Sequence, residues 1–137
     1  MNTYAPTLEI SRKALIKNYH LLSGKAKCRL WCVVKANAYG HGMEQTASIL
    51  WQAGADSFAV ATLKEAVALR QALPSARILI LGITSPRDVN ALCDYRLLQT
   101  VHTLSYAKSL SSLAPSALSI HSKLDVGMRR LGFDGKL

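Results

Sequence analysis

The 137-residue sequence lacks the biases that mark disordered, fibrous or membrane-spanning chains. Half of its residues are hydrophobic and only 18% are charged, whereas intrinsic disorder requires low hydrophobicity. Eight glycines and four prolines are too few for a collagen-like or low-complexity chain. No run approaches the 18 apolar residues that a membrane-spanning helix needs. We therefore expect a domain with a real hydrophobic core and no membrane partner.

Cysteine is also scarce. The three cysteines are Cys28, Cys32 and Cys93, an odd number, and the Cys-x3-Cys spacing is neither a zinc pair nor a redox Cys-x-x-Cys motif. We predict free thiols and no metal site. Residues 1–6 lack the basic segment and apolar core of a secretory signal. These features together predict a cytoplasmic protein.

Acidic residues are few, so the 17 Lys+Arg against 8 Asp+Glu give a formal net charge of +9. The basic residues are scattered, with no run of five and no aromatic-interleaved basic motif, which disfavours nucleic-acid binding as the main function. A basic interaction module stays open as an alternative. The scattered positions include Arg12, Lys13, Lys17, Lys25, Lys27, Arg29, Arg70, Arg77, Arg87 and Arg96.

The first elements are indicated by short hydrophobic patterns. Residues 7–10 alternate and predict a short strand. Ser11 is placed as the N-cap of a helix that carries Leu15, Tyr19 and Leu22 on one face. Residues 30–34 form a continuous apolar run, which is typical of a strand buried on both faces in a parallel sheet.

Strands and helices then alternate with a short repeat. Strands are predicted at 57–61, 77–81, 97–101 and 118–124, with starts 20, 20 and 21 residues apart. Helix starts are marked by a capping box from Thr62 to Glu65, by Ser85 before Pro86, and by Thr103 before the segment 104–113.

This alternation predicts a right-handed parallel α/β fold. The compact repeat is more typical of a barrel than of a dinucleotide-binding sheet, and no Gly-x-Gly-x-x-Gly follows the first strand. A complete (β/α)8 barrel needs about 250 residues, which is more than the sequence provides.

The most informative segment is 33–42, which reads Val-Val-Lys-Ala-Asn-Ala-Tyr-Gly-His-Gly. Alternation places Trp31, Val33 and Lys35 on one face of the strand. If that face lines a barrel, Lys35 lies at the carboxyl rim, where barrel enzymes keep their chemistry. Desolvation there would lower the lysine pKa from about 10.4 and favour the neutral amine that Schiff-base chemistry requires. A lysine whose stem covers apolar surface while its amine reaches solvent is an equally open interpretation.

Segment 33–42 closely resembles the pyridoxal-phosphate signature of the alanine racemase family. A second block at 121–133, His-Ser-Lys-Leu-Asp-Val-Gly-Met-Arg-Arg-Leu-Gly-Phe, is similar to that family's second conserved block. The order of the two blocks and the distance between them in the sequence match those of the family, so the resemblance covers essentially the whole chain. It implies that residues 1–137 form a truncated N-terminal barrel domain. Roughly the first half of a (β/α)8 TIM-type barrel is expected, without the later strands and the C-terminal β domain.

The resemblance also implies roles for individual residues. Lys35 would form an aldimine with pyridoxal 5'-phosphate and then serve as one of two acid/base groups. Tyr39 would place its hydroxyl near the cofactor phosphate. Arg130 would lie by the cofactor's phenolic oxygen and bind the substrate carboxylate. Lys123 matches a position that carries a carbamate in many members and would hold that arginine.

Plainer interpretations stay open for several of these side chains. Tyr39 could simply pack its ring, and Lys123 and Arg130 could be ordinary charges at the rim. Asn37 and His41 are given loop-shaping roles, because asparagine tolerates the left-handed backbone region. The histidines His20, His102 and His121 are left without a role.

The implied activity is the interconversion of L- and D-alanine, which supplies D-alanine for peptidoglycan. Racemisation needs proton removal on one face and delivery on the other. In the family, the opposite base is a tyrosine from the partner subunit's C-terminal domain, and later barrel strands supply most phosphate ligands. The fragment alone is therefore expected to be inactive, and a non-catalytic fragment with weak cofactor binding is the alternative. Open sheet edges predict a dimer or higher oligomer.

Overall fold

The computed structural model describes residues 7–134, in which a five-stranded sheet is followed by a small two-stranded one. The strands are β1 (Cys32–Val33), β2 (Ser57–Val60), β3 (Arg77–Ile80), β4 (Leu98–Val101), β5 (Ile120–Ser122), β6 (Leu124–Asp125) and β7 (Phe133–Asp134). The helices are α1 (Arg12–Lys25), α2 (Lys35–Tyr39), α3 (Met43–Gln52), α4 (Leu63–Ala72), α5 (Val89–Asp94) and α6 (Leu104–Leu113).

The large sheet has the strand order β1-β2-β3-β4-β5, and every neighbouring pair is parallel. Each strand therefore lies beside the next one in the sequence, with a helix in the connection. The prediction of a parallel α/β fold is confirmed.

The helix starts follow the capping residues that the sequence indicated. Ser11 accepts a hydrogen bond from the backbone of Ala14, and Thr103 accepts one from Tyr106. The reciprocal capping box between Thr62 and Glu65 is present at α4. Ser85 caps a 3-10 turn, Pro86–Asp88, which leads into α5. These predictions are confirmed. A cap could be predicted from the sequence because it depends only on residues within one helical turn.

Three strand predictions need correction. Residues 7–10 form no strand; they are largely exposed and pair with no other strand in the described part of the chain. The strand predicted at 30–34 is reduced to Cys32–Val33, because the chain turns sharply at Lys35. The strand predicted at 118–124 is divided into Ile120–Ser122 and Leu124–Asp125, which belong to different sheets.

The core lies between the outer face of the large sheet and the helices. Alternate strand residues such as Phe58, Ile78 and Val101 pack there against Leu69 and Leu110 of the helices. All five are 2% exposed or less, and burying a side chain of this kind contributes about 1.5–3 kcal/mol. Within residues 7–134, no helix is long and apolar enough to cross a bilayer.

The opposite face of the sheet, which we call the inner face, carries the other alternate residues. The strand registers place Val33, Ala59, Leu79, Leu98, Thr100 and His121 on it. Trp31, two residues before Val33, shares this face by alternation.

Candidate cofactor site

Lys35 lies at the carboxyl end of β1, where the chain leaves the sheet. The residue before it, Val34, is 1% exposed and donates a backbone hydrogen bond of 2.9 Å to the carbonyl of Ala59 on β2. Lys35 itself is half-buried. The core contact of Val34 therefore fixes the position from which the lysine side chain extends.

The segment after Lys35 is a single left-handed turn. Ala36, Asn37, Ala38 and Tyr39 have φ between 51° and 54°. This region costs non-glycine residues roughly 1–2 kcal/mol each and is normally visited by single residues. Four consecutive residues therefore require about 4–8 kcal/mol of compensation from their surroundings.

Part of this compensation comes from hydrogen bonds within the loop. The backbone N–H of Ala38 donates to the carbonyl of Val34 at 2.8 Å, and that of Gly42 donates to Asn37 at 2.9 Å. The side-chain Oδ1 of Asn37 accepts from the N–H of Met43 at 2.8 Å, which closes the loop onto the start of α3. Asn37 thus shapes the loop as its residue type indicated.

The other part comes from Glu65, at the start of α4. Its Oε1 accepts from the N–H of Ala36 at 2.7 Å, and its Oε2 accepts from Ala61 at 2.8 Å and Thr62 at 3.1 Å. The capping box predicted the contact with Thr62. The contact with Ala36 spans 29 residues, and no local pattern could have indicated it.

Tyr39 and His41 both lie near the surface. Tyr39 is 62% exposed, and its hydroxyl makes no hydrogen bond within the described residues. His41 is exposed and lines a cavity of 360 Å³ between α1 and β1, with Leu15, Tyr19 and Leu22 of the predicted helix face.

Lys123 joins the two sheets. Its backbone N–H donates to Val101 on β4, and its carbonyl accepts from Phe133 on β7, each at 2.8 Å. Its amine donates to the carbonyl of Leu131. Lys123 thus contacts the loop that contains Arg130, rather than the guanidinium itself.

Arg130 is exposed and lines a cavity of 570 Å³ in the loop between β6 and β7. Asp125 organises this loop, because its Oδ1 accepts from the N–H groups of Gly127 at 2.9 Å and Arg129 at 3.0 Å. These hydrogen bonds lower the pKa of the Asp125 carboxyl below its usual value, and the bond from Arg129 has the largest effect.

The loop after β3 is tied to β4 and to α6 at the carboxyl end of the sheet. The amide Nε2 of Gln99 donates to the carbonyl of Gly82 at 2.7 Å. The hydroxyl of Tyr106 donates to the carbonyl of Thr84 at 2.7 Å and accepts from its N–H at 3.0 Å. Gly82 must be glycine, because a Cβ there would collide with the carbonyl of Ala61.

Lys35 and Lys123 follow the carboxyl ends of β1 and β5, the two edge strands, so both lie at the carboxyl end of the sheet. The two side chains do not contact each other through a hydrogen bond. Within residues 7–134, no hydrogen bond connects Lys35 with Lys123 or Arg130, and the one ion pair is between Arg29 and Asp56. The amines of Lys35 and Lys123 and the Arg130 guanidinium therefore have no carboxylate partner among these residues, and the Tyr39 hydroxyl has no hydrogen-bond partner there. This donor set fits a cofactor that carries an aldehyde, a phosphate and a phenolate oxygen.

The histidines without an assigned role pack against aromatic rings. His20 lies beside Tyr19, His102 beside Tyr106, and His121 beside Trp31. Among residues 7–134, no three His, Cys, Asp or Glu side chains are grouped as metal ligands would be.

Comparisons with known proteins agree with the two sequence blocks. The family described as alanine racemase, N-terminal domain, matches residues 10–136. The alanine racemase of Listeria innocua serovar 6a is 44% identical over 133 residues, which is 94% of this chain and 36% of that protein.

Solved structures show the same similarity. The alanine racemase of Oenococcus oeni has a TM-score of 0.81 and 38% identity, covering 92% of this chain and 37% of that one. A histidine racemase from Leuconostoc mesenteroides subsp. sake has a TM-score of 0.85 and 28% identity, covering 97% of this chain and 38% of that one. The prediction of a partial barrel is confirmed.

The chain spans about a third of the length of these relatives. The family match nevertheless covers nearly all of its residues. The chain therefore belongs to the alanine racemase family and corresponds to an N-terminal portion of its members.

Proposed function

We propose that the chain provides the cofactor-binding lysine of a pyridoxal-phosphate-dependent alanine racemase. The observation that carries this proposal is the position of Lys35, at the carboxyl end of β1 and directly before a left-handed turn. Four consecutive positive-φ residues carry an energetic cost, and backbone of this kind clusters at active sites and ligand clamps. The substrate would be alanine, and the product D-alanine would serve peptidoglycan synthesis.

Each proposed residue has a separate task. The amine of Lys35 holds the cofactor and then accepts or delivers a proton at the substrate Cα on one face. The Tyr39 hydroxyl would hold the cofactor phosphate, and the Arg130 guanidinium would lie by the cofactor's phenolic oxygen and bind the substrate carboxylate. Lys123 fixes the loop of Arg130 through its contact with Leu131. When bound, pyridoxal phosphate withdraws electrons from the substrate and makes its Cα proton acidic.

Proton exchange on two faces requires a second acid/base group opposite Lys35. We assign this group to sequence outside residues 7–134, since the relatives are nearly three times as long. The chain by itself is then expected to bind the cofactor without racemising alanine.

The test is reductive trapping on the purified chain. Pyridoxal phosphate is added, the adduct is fixed with borohydride, and the modified lysine is identified by peptide mass mapping. Lys35 is expected to be modified in preference to the other lysines, and Lys35→Ala should abolish the specific adduct, whereas Lys64→Ala on α4 should not. Adduct formation without exchange between D- and L-alanine supports a fragment that needs completion. An absence of preference for Lys35 would contradict the proposed function.

We further propose that the protein acts as a homodimer in the cytoplasm. Val33 and Ile120, on the two edge strands of the sheet, are 42% and 46% exposed, so both edges present apolar surface. The free thiols of Cys28, Cys32 and Cys93 suit a reducing compartment. Light scattering at micromolar concentration should give at least twice the monomer mass, and a clean monomer would contradict self-association.

A further inference from the structure

We infer that Glu65 is a positioning residue for Lys35, which it serves by holding the backbone that immediately follows the lysine. This inference rests on the proposed function of Lys35. Glu65 lies on α4, in the next βα unit along the sheet, and touches the lysine segment through Ala36 alone among the described hydrogen bonds.

One carboxylate joins the ends of two neighbouring strands. Oε1 of Glu65 accepts a hydrogen bond from the N–H of Ala36, which follows β1. Oε2 accepts from Ala61 and Thr62, which follow β2. Both oxygens are therefore used, and the charged acceptor makes each of these hydrogen bonds stronger than a neutral one would be.

The N–H of Ala36 has no other acceptor in the described structure. The hydrogen bonds of the left-handed turn begin two residues later, with Ala38 donating to Val34. Ala36 is also the first residue with positive φ. Glu65 thus fixes the residue at which φ changes from negative to positive. The direction of the preceding Lys35 side chain depends on the backbone at that residue.

The contact with Ala36 can be separated from the helix cap. Thr62→Ala removes the hydrogen bond from the N–H of Glu65 to Thr62 Oγ1 but leaves the carboxylate in place. Glu65→Gln keeps the shape of the side chain but has a single oxygen acceptor, so it cannot serve both Ala36 and the pair at Ala61 and Thr62. The Thr62→Ala variant is therefore the matched control for loss of capping alone.

The experiment compares the wild-type chain, Glu65→Gln and Thr62→Ala with two readouts. The first is hydrogen exchange of the Ala36 amide by NMR without cofactor. The second is the rate at which pyridoxal phosphate and borohydride modify Lys35, relative to the other lysines. In Glu65→Gln we expect exchange to rise and selective modification to fall by roughly tenfold, the size of losing one hydrogen bond to a charged group. Thr62→Ala should leave both within about twofold of wild type.

The outcomes are distinguishable. If Glu65→Gln retains wild-type exchange at Ala36 and wild-type selectivity for Lys35, the positioning role is overturned. If both variants change alike, Glu65 acts only as a cap, and the inference is again overturned. If the wild-type chain shows no selectivity for Lys35, the proposed function fails, while the Ala36 exchange still decides whether Glu65 holds the turn.

Circular dichroism and urea unfolding check that each variant is folded. If Glu65→Gln does not fold, Glu65→Asp replaces it. This variant retains the negative charge at the start of α4, but its side chain is one methylene shorter and should not reach Ala36. Loss of Lys35 selectivity in a folded Glu65→Asp chain supports the inference, and full selectivity overturns it.

Discussion

The rings of Trp31 and His121 meet edge to face, with centroids 5.2 Å apart and planes at 85°. Trp31 directly precedes β1 and His121 lies on β5, the two edge strands of the five-stranded sheet. In a flat sheet these strands would be about 19 Å apart, since neighbouring strands are separated by about 4.8 Å. The sheet is therefore strongly curled toward its inner face, as the wall of a barrel is.

This contact should stabilise the curled sheet. Aromatic pairs contribute about 0.5–1.5 kcal/mol beyond the area that they bury. A double-mutant cycle with Trp31→Ala and His121→Ala, measured by urea unfolding, should give a coupling free energy in that range. Trp51 on α3 provides the control, because Trp51→Ala and His121→Ala should be additive. Additivity for Trp31 as well would show that the contact does not stabilise the sheet.

The Tyr106 hydroxyl should stabilise the loop after β3. Tyr106→Phe leaves the buried N–H and carbonyl of Thr84 without their shared partner. We expect a loss of about 1–3 kcal/mol in the free energy of unfolding, which is the cost of unpaired buried polar groups. Tyr95→Phe is the control, since its hydroxyl makes no hydrogen bond among the described residues. Equal effects of both substitutions would contradict this prediction.

Asp125 should make the loop of Arg130 sensitive to acid. Hydrogen bonds from Arg129 and Gly127 lower the pKa of its carboxyl in the folded chain. The resulting stabilisation is complete above the unfolded pKa of about 3.9 and is lost as the pH falls through the lower, folded value. Amide exchange at Gly127 and Arg129 should therefore accelerate on acidification in this range. Asp125→Asn keeps an acceptor oxygen but has no titrating group. After correction for the intrinsic effect of pH, amide exchange at Gly127 and Arg129 in this variant should therefore not accelerate on acidification.

Cys32 should react more slowly with iodoacetamide than Cys28. Burial, and then the nearby Asp56 carboxylate, raise the pKa of the Cys32 thiol, which disfavours the reactive thiolate. Cys28 is exposed. Mass spectrometry of partly modified protein should show Cys28 labelled first, and the difference should disappear in denaturant. Faster labelling of Cys32 in the folded chain would contradict the burial of its thiol.

Much of the fold could be predicted from short segments of sequence. Ser11, Thr62 and Thr103 each cap a helix through a residue three positions later. Residues 7–10 show the limit of such patterns, because their alternation is compatible with a strand but no strand lies beside them. Lys123 shows a second limit, because the pattern of residues 118–124 does not reveal that Ser122 and Leu124 belong to different sheets.

The sequence by itself determined the helix caps, the alternation of strands and helices that favours a parallel sheet, and the motif around Lys35, because these are patterns of residues close together in the chain. Only the tertiary structure decided that Glu65 holds Ala36 and that Trp31 meets His121. These pairs are distant in sequence, and their contact exists only because parallel strands place their carboxyl ends at one edge and the sheet curls. Such contacts depend on packing of the whole domain, which no local pattern encodes.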